Sequence, residues 1–178
     1  MGNRLLSLYA SGPTEEMRIA KLQKPHPEKA MDFPAPPPFD AKINFSGLKL
    51  LIVDDDADSR DFYRYCLEEH GIEVVEAADL ATASLLLDRY KPDLVISDFL
   101  LADGTCLPLI SQAKELQSEA GRSVGVIILS GLVQDETRML AREAGCDQYL
   151  FKPVEPEQLI SAVVWLAQIF PIPYEGDY

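Results

Sequence analysis

From Gly47 onward, the chain alternates between short apolar runs and longer stretches in which apolar residues recur every three or four positions. The short runs are typical of buried strands, and the longer stretches are typical of helices, with aspartate, proline or glycine at their ends. This pattern predicts strands over 48–54, 72–77, 93–97, 124–130 and 147–151. It predicts helices over 57–70, 79–90, 106–119, 135–145 and 155–170.

Five β–α repeats in succession indicate an α/β fold. Because the predicted strands are mostly apolar and do not alternate regularly with polar residues, we expect a parallel sheet with helices on both faces. Right-handed crossovers then produce a doubly wound sheet. A closed barrel of eight such repeats would need about twice the length.

Charged and hydroxyl side chains stand at the ends of four predicted strands. The first strand ends at Asp54 and Asp55, the third at Asp98 and the fourth at Ser130, and Lys152 follows the fifth. The carboxyl ends of parallel strands lie along one edge, and open α/β sheets bind ligands outside that edge. We therefore expect these side chains to share one site.

Three carboxylates in one site need a counter-charge. Two carboxylates about 4 Å apart repel by roughly 4 kcal/mol at an effective dielectric constant near 20. Mg²⁺ suits such a site, because it binds carboxylates, water and phosphate oxygens. One carboxylate can then attack phosphorus, while Lys152 pairs with one phosphoryl oxygen and Ser130 donates a hydrogen bond to another.

Composition narrows the classes of partner. The formal net charge is −13, and residues 47–178 carry all of it. An acidic surface argues against direct binding to nucleic acid or to an anionic membrane. The three cysteines form no C-x-x-C pair, which is typical of reduced thiols in a cytoplasmic protein. No apolar run reaches the roughly 18–20 residues of a membrane span.

Residues 1–46 differ from the rest in composition. More than half of the 13 prolines fall there, and FPAPPPF (33–39) should be extended because proline fixes φ and removes a backbone donor. We expect 1–46 to be a Pro-rich, largely disordered extension, 47–170 the folded domain and 171–178 a tail. A short helix over 14–22 and a P-x-x-P ligand are alternatives to a plain linker.

The segments LIVDDD, PDLVISDFLLADG, VIILSG and QYLFKP resemble the receiver domain of two-component response regulators, over about residues 48–170. The resemblance implies a flavodoxin-like (βα)5 fold with strand order 2-1-3-4-5. It also implies a signalling phosphoacceptor, which assists its own phosphorylation and dephosphorylation but is not a turnover enzyme.

The resemblance assigns roles to the residues at the strand ends. It makes Asp98 the phosphoacceptor, and it places Mg²⁺ on Asp54, Asp55, Asp98 and the backbone carbonyl of Leu100.

It further implies that Lys152 contacts the phosphoryl group and that the Lys152–Pro153 bond is cis. Ser130 takes the position of the switch hydroxyl. Tyr149 matches the aromatic residue that rotates inward once that hydroxyl moves.

Two departures from the family pattern lie near the site. Ala102 stands where the family often has proline. Leu100 and Leu132 stand where many members carry polar groups that orient the attacking water. We therefore expect slow hydrolysis of the acyl phosphate.

The resemblance also implies partners. A histidine kinase or a histidine phosphotransfer protein would supply the phosphoryl group. Only 171–178 follow the last helix, so we expect the signal to leave by contact with a downstream protein. The face from the fourth strand to the last helix is the expected target or homodimer surface. That helix is apolar on several sides, which indicates either a partner face or burial under the N-terminal extension.

Two other functions are compatible with the residues. The first is a pseudo-receiver, an interaction module that takes no phosphate. The second is a Mg²⁺-dependent phosphatase with an aspartyl nucleophile. The haloacid-dehalogenase type has a second acid two residues after the nucleophile, a position that Leu100 occupies here.

Overall fold

The computed structural model describes residues 44–120 and 124–170, without the side chains of 117–120. Its elements are β1 (Lys49–Val53), α1 (Ala57–Glu68), β2 (Glu73–Ala77), α2 (Leu80–Tyr90), β3 (Leu94–Asp98), β4 (Leu100–Leu101), β5 (Gly104–Thr105), α3 (Leu107–Ala120), β6 (Gly125–Ser130), α4 (Asp135–Ala144), β7 (Gln148–Phe151) and α5 (Pro156–Ile169). Each predicted strand and helix from residue 48 onward is present, with ends shifted by at most two residues. The predictions for 14–22, 33–39 and 171–178 lie outside the described residues.

Five parallel strands form the main sheet in the order β2-β1-β3-β6-β7. This is the doubly wound topology and the strand order that the sequence predicts. The register pairs Val53 with Ser97, Asp98 with Leu129 and Ser130 with Phe151. The carboxyl ends of four strands are therefore nearly level, and the residues that end or follow them lie along one edge.

The sheet separates two layers of the apolar core. Leu50 and Ile52 pack with residues of α1 and α5 on one face, whereas Leu51 and Val53 pack with residues of α2, α3 and α4 on the other. Successive strand side chains point to opposite faces of a sheet, so a strand segment covered on both sides is apolar at successive positions. This explains why β1 is apolar from Leu50 to Val53.

The helix termini follow local signals in the sequence. The Asp79 carboxylate accepts a hydrogen bond from the amide of Thr82 at 2.7 Å and caps the start of α2. Gly145 ends α4 with φ of 107°, a conformation that glycine adopts without steric cost. Asp79 and Gly145 thus play the capping roles predicted for them.

The packed unit extends N-terminal to Gly47. Phe45, which the sequence-based division assigns to the extension, is fully buried in the core layer that contains α5. Its amide donates a 2.8 Å hydrogen bond to the carbonyl of His70. Asn44 and Phe45 are therefore part of the folded domain.

The last helix is mostly covered. Ile160 and Val164 are buried, whereas Ile169 is 53% exposed. The apolar character of α5 reflects burial in the core for most of its length. No helix in the described part of the chain is long and apolar enough to cross a membrane.

Two features have no counterpart in the sequence-based prediction. The first is a hairpin after β3, in which Leu100 pairs with Thr105 and Leu101 with Gly104. The second is a polar tie at the amino edge of the sheet. There the Lys114 ammonium donates to the Val124 carbonyl at 3.0 Å and contacts the Asp147 carboxylate at 2.8 Å.

Candidate functional site

Three aspartates meet at the carboxyl edge of the sheet. Asp54 follows β1, Asp98 ends β3, and these two strands are neighbours. Together with Asp55, they offer carboxylate oxygens that all lie within 4.8 Å of one another. Asp54 and Asp98 are buried, whereas Asp55 is exposed. With Lys152, these residues form what is here termed the acidic site.

Lys152 bridges the two buried acids. Its ammonium nitrogen lies 2.6 Å from Oδ2 of Asp54 and 2.9 Å from Oδ2 of Asp98. Burial alone would lower the pKa of Lys152, but the charges and hydrogen bonds of Asp98 and Asp54 outweigh it and raise the pKa above its usual value. The side chain therefore stays positively charged. The Lys152–Pro153 bond is cis, as predicted.

Backbone amides fix the orientation of both buried carboxylates. Oδ1 of Asp54 accepts a hydrogen bond from the amide of Asp56 at 2.9 Å. Oδ1 of Asp98 accepts one from the amide of Leu100 at 3.2 Å. Each buried carboxylate thus binds an amide through one oxygen and the ammonium through the other.

Ser130 lies at the same edge and is buried. Its carbonyl accepts a 2.8 Å hydrogen bond from the amide of Lys152, which ties the end of β6 to the residue after β7. Its hydroxyl oxygen accepts a hydrogen bond from the amide of Leu132 at 3.0 Å. The hydroxyl thus has a partner in the main chain of the following loop.

Tyr149 contacts the same loop. Its hydroxyl donates to the carbonyl of Leu132 at 3.2 Å, and the side chain is only 6% exposed. The ring therefore lies inward in this structure. Burial raises the pKa of the Tyr149 hydroxyl, against a smaller lowering by its hydrogen bond with Ser130, so the phenol remains a neutral donor.

A residue that the sequence analysis missed lies directly behind the acidic site. Arg60 donates a 2.7 Å hydrogen bond from Nη1 to the backbone carbonyl of Asp54. Its Nε lies 3.3 Å from Oε2 of Glu76 on β2, and Nε of Arg64 lies 3.2 Å from Oε1 of the same carboxylate. Arg60 thereby joins α1, β2 and the chain entering the site. The only sequence signal is a basic residue within the acidic stretch DDDADSRD.

The donor set of the acidic site fits Mg²⁺. Carboxylate oxygens are the hard ligands that this ion prefers, and opposite ligands of an octahedral Mg²⁺ lie roughly 4 Å apart. The three carboxylates offer oxygens within 4.8 Å of one another, near enough to share one ion. One ammonium offsets only one of their three negative charges, so the site retains an excess that a divalent cation would neutralise.

The comparisons with known proteins agree with the fold. The family model described as "response regulator receiver domain" matches residues 50–164. An uncharacterized 14.6 kDa protein in the sodA1 3′ region of Leptolyngbya boryana is 36% identical over 124 residues, which covers 70% of this chain and 93% of that protein. The chain belongs to the response regulator receiver family.

Other relatives are longer proteins. The phosphate regulon transcriptional regulatory protein PhoB of Escherichia coli is 30% identical over 115 residues, covering 65% of this chain and 49% of PhoB. The chain thus spans about half the length of PhoB. The KDP operon transcriptional regulatory protein KdpE of the same organism is 36% identical over 104 residues, which cover 58% of this chain and 44% of KdpE.

Solved structures show the same architecture. A CheY-like response regulator receiver domain protein from Methanospirillum hungatei aligns with a TM-score of 0.62 at 27% identity, covering 68% of this chain and 94% of that one. A two-component response regulator from Clostridium difficile aligns with a TM-score of 0.63 at 26% identity, covering 68% and 98%.

Proposed function

We propose that the protein is a phosphoacceptor that receives a phosphoryl group on Asp98 from the phosphohistidine of a histidine kinase or a histidine phosphotransfer protein. Asp54, Asp55, Asp98 and the backbone carbonyl of Leu100 would hold Mg²⁺. The observation that carries this proposal is the acidic site itself. Two buried carboxylates share one ammonium beside an exposed third carboxylate, at the edge where an α/β sheet binds its ligands.

The transfer needs few catalytic groups. A carboxylate oxygen of Asp98 forms a bond to phosphorus as the bond between phosphorus and the donor's imidazole nitrogen breaks. The nitrogen keeps the electron pair of the broken bond. Bound Mg²⁺ would supply charge neutralisation at the phosphoryl oxygens.

The remaining groups of the site act on the transferred phosphoryl group. The Lys152 ammonium, which contacts both buried acids, pairs with one phosphoryl oxygen. The hydroxyl of Ser130 rotates to donate to another, and it then releases the amide of Leu132 that it accepts from in this structure. The loop after β6 thereby loses one of its ties to the sheet.

This change reaches Tyr149, because its hydroxyl binds the carbonyl of Leu132. Phosphorylation would shift a two-state equilibrium of this loop and of the adjoining surface formed by α4, β7 and α5. Exposed apolar groups on this surface include Met139 and Ile169, at 56% and 53% exposure. We propose that a downstream protein or a second copy of the chain binds there.

The site supports signalling more than turnover of a small phosphomonoester. Leu100, two residues after Asp98, is only 4% exposed and carries no acidic group. It cannot protonate a leaving alkoxide. The three cysteines are free and buried, which supports a reducing compartment, and we place the protein in the cytoplasm.

Incubation with acetyl phosphate and Mg²⁺, followed by intact-protein mass spectrometry, tests the proposal. The wild type should gain one phosphoryl group, and the gain should disappear with EDTA or with Asp98→Asn. Asp61→Asn is a matched control, because Asp61 pairs only with the exposed Arg64 among the contacts described for it. If the wild type gains no mass, or if Asp98→Asn gains as much mass as the wild type, the result would instead indicate a pseudo-receiver.

A further inference from the structure

The tip of the β4–β5 hairpin is tied to the start of α2. Oδ2 of Asp103 accepts a 2.9 Å hydrogen bond from the amide of Leu80, the first residue of that helix. The first amides of a helix have no acceptor within the helix itself. Asp103 therefore satisfies a donor that lies 23 residues earlier in the chain.

The hairpin also packs closely on the same residue. Gly104 adopts φ of 148°, and a Cβ atom there would lie 3.4 Å from Cδ1 of Leu80. The side chain of Leu80 thus lies beside the main chain of Gly104, next to the hydrogen bond of Asp103. Both observations place the hairpin tip directly against the start of α2.

The start of α2 has a second cap of its own. Asp79 accepts hydrogen bonds from the amide of Thr82 at 2.7 Å and from its hydroxyl at 3.1 Å. The two aspartates bind different amides of one helix terminus. They differ in what they connect, since Asp79 adjoins α2 in sequence, whereas Asp103 belongs to the loop that follows Asp98.

The hairpin connects this attachment to the acidic site along the chain. Leu101 pairs with Gly104 beside the tip, and Leu100 pairs with Thr105 one step nearer to β3. The amide of Leu100 in turn donates to Oδ1 of Asp98. Only the pair of Leu101 and Gly104 therefore lies between the Asp103 tie and the pair that contains Leu100.

We propose that Asp103 is a positioning residue that holds the β4–β5 hairpin against α2 and thereby fixes the Leu100 carbonyl for Mg²⁺. This inference rests on the proposed function, which assigns that carbonyl to the metal. Asp103 does not itself bind the ion. It restricts the hairpin before Mg²⁺ binds, so that the hairpin loses less conformational freedom when the ion binds.

A titration of the ¹⁵N-labelled full-length protein with Mg²⁺ alone tests this role, and the amide chemical shifts give the dissociation constant. Asp103→Ala should bind Mg²⁺ about three- to tenfold more weakly than the wild type, the range expected if most of one cap's stabilisation is coupled to the hairpin. Asp103→Asn, whose side-chain oxygen can still accept from Leu80, should recover most of the affinity. Asp79→Ala removes a cap from the same helix without touching the hairpin, and its Mg²⁺ affinity should equal that of the wild type.

Thermal unfolding without Mg²⁺ measures the loss of each cap independently of the effect on Mg²⁺ affinity. Both alanine variants should unfold at lower temperature, since each loses a cap. Equal Mg²⁺ affinity in Asp103→Ala and the wild type would overturn the inference, as would equal weakening in Asp103→Ala and Asp79→Ala. Absence of Mg²⁺ binding in the wild type would instead overturn the proposed function on which the inference rests.

Discussion

The ammonium nitrogen of Lys152 lies 2.6 Å from Oδ2 of Asp54, although 98 residues separate the two in sequence. The Asp54 side chain is 2% exposed and that of Lys152 20%. A nearly buried carboxylate is costly unless it is paired, and removal of one partner leaves the other charge uncompensated. This contact therefore connects the stability of the fold to the chemistry of the site.

Substitution of Lys152 by methionine should destabilise the protein by about 2 kcal/mol or more, because Asp54 and Asp98 would then be buried without their shared cation. Urea unfolding at pH 7 measures the loss. The double variant Lys152→Met with Asp54→Asn should recover part of it. A single variant as stable as the wild type would contradict the expectation.

The same pair gives a prediction for pH. Because the pKa of Lys152 is raised in the folded state, its contribution is fully present below its unfolded pKa of about 10.4 and is lost only as pH rises through the raised value. The stability difference between wild type and Lys152→Met should thus be the same at about pH 7 and pH 9.5. A difference that grows at the higher pH would mean that burial dominates and lowers this pKa.

Asp55→Asn should raise the melting temperature in the absence of Mg²⁺ by about 2–5 °C, since it removes one negative charge from the cluster. The wild type should be stabilised by about 2.7 kcal/mol when Mg²⁺ is present at 100 times its dissociation constant. Asp55→Asn should lose most of that stabilisation. Scanning calorimetry with and without MgCl₂ measures both effects, and an equal Mg²⁺ response in the two proteins would exclude Asp55 as a ligand.

Arg60 and Arg64 form a matched pair for mutation. Both contact Glu76, but Arg60 also holds the carbonyl of Asp54 and has 17% of its side chain exposed, against 43% for Arg64. Arg60→Ala should cost about 1.5–3 kcal/mol and slow phosphorylation of Asp98. Arg64→Ala should cost about 0–1 kcal/mol and leave the rate unchanged. Similar effects of both substitutions would show that Arg60 has no special relation to the site.

Leu132→Gln should shorten the lifetime of the phosphorylated protein by about tenfold or more, because a polar group beside Ser130 can orient a water molecule. In the wild type this side chain is 3% exposed and apolar, which favours slow hydrolysis. The decay of the phosphorylated mass after removal of the donor gives the rate, and thermal unfolding verifies the fold of the variant. A wild-type half-life of seconds would contradict the prediction.

The sequence predicts the sheet well because its strands are covered on both faces. The apolar run of β1 and the glycine and aspartate at the helix ends are local signals, and each is sufficient for its element. The hairpin at Leu100–Thr105 gave no such signal, since strands of two residues have no period to detect. Its tip contacts α2 through Asp103 and Leu80, which are 23 positions apart in the sequence.

Parts of the domain boundary and the site show the same limitation. Phe45 lies next to a Pro-rich segment, and only its contacts with the core reveal that it belongs to the fold. The acids and Lys152 could be placed together because parallel strands align their ends. The position of Arg60 could not be predicted in this way. It depends on a contact between α1, which carries Arg60, and Glu76 of β2.

Lys114 and Asp147 are at the opposite edge of the sheet from Asp98, where they join α3 to the segments that enter β6 and β7. Substitutions that change the melting temperature through this pair need not alter the Mg²⁺ affinity of the acidic site or the lifetime of a phosphoryl group on Asp98. Protein engineers could tune thermal resilience through this pair while leaving the chemistry of the domain as it is.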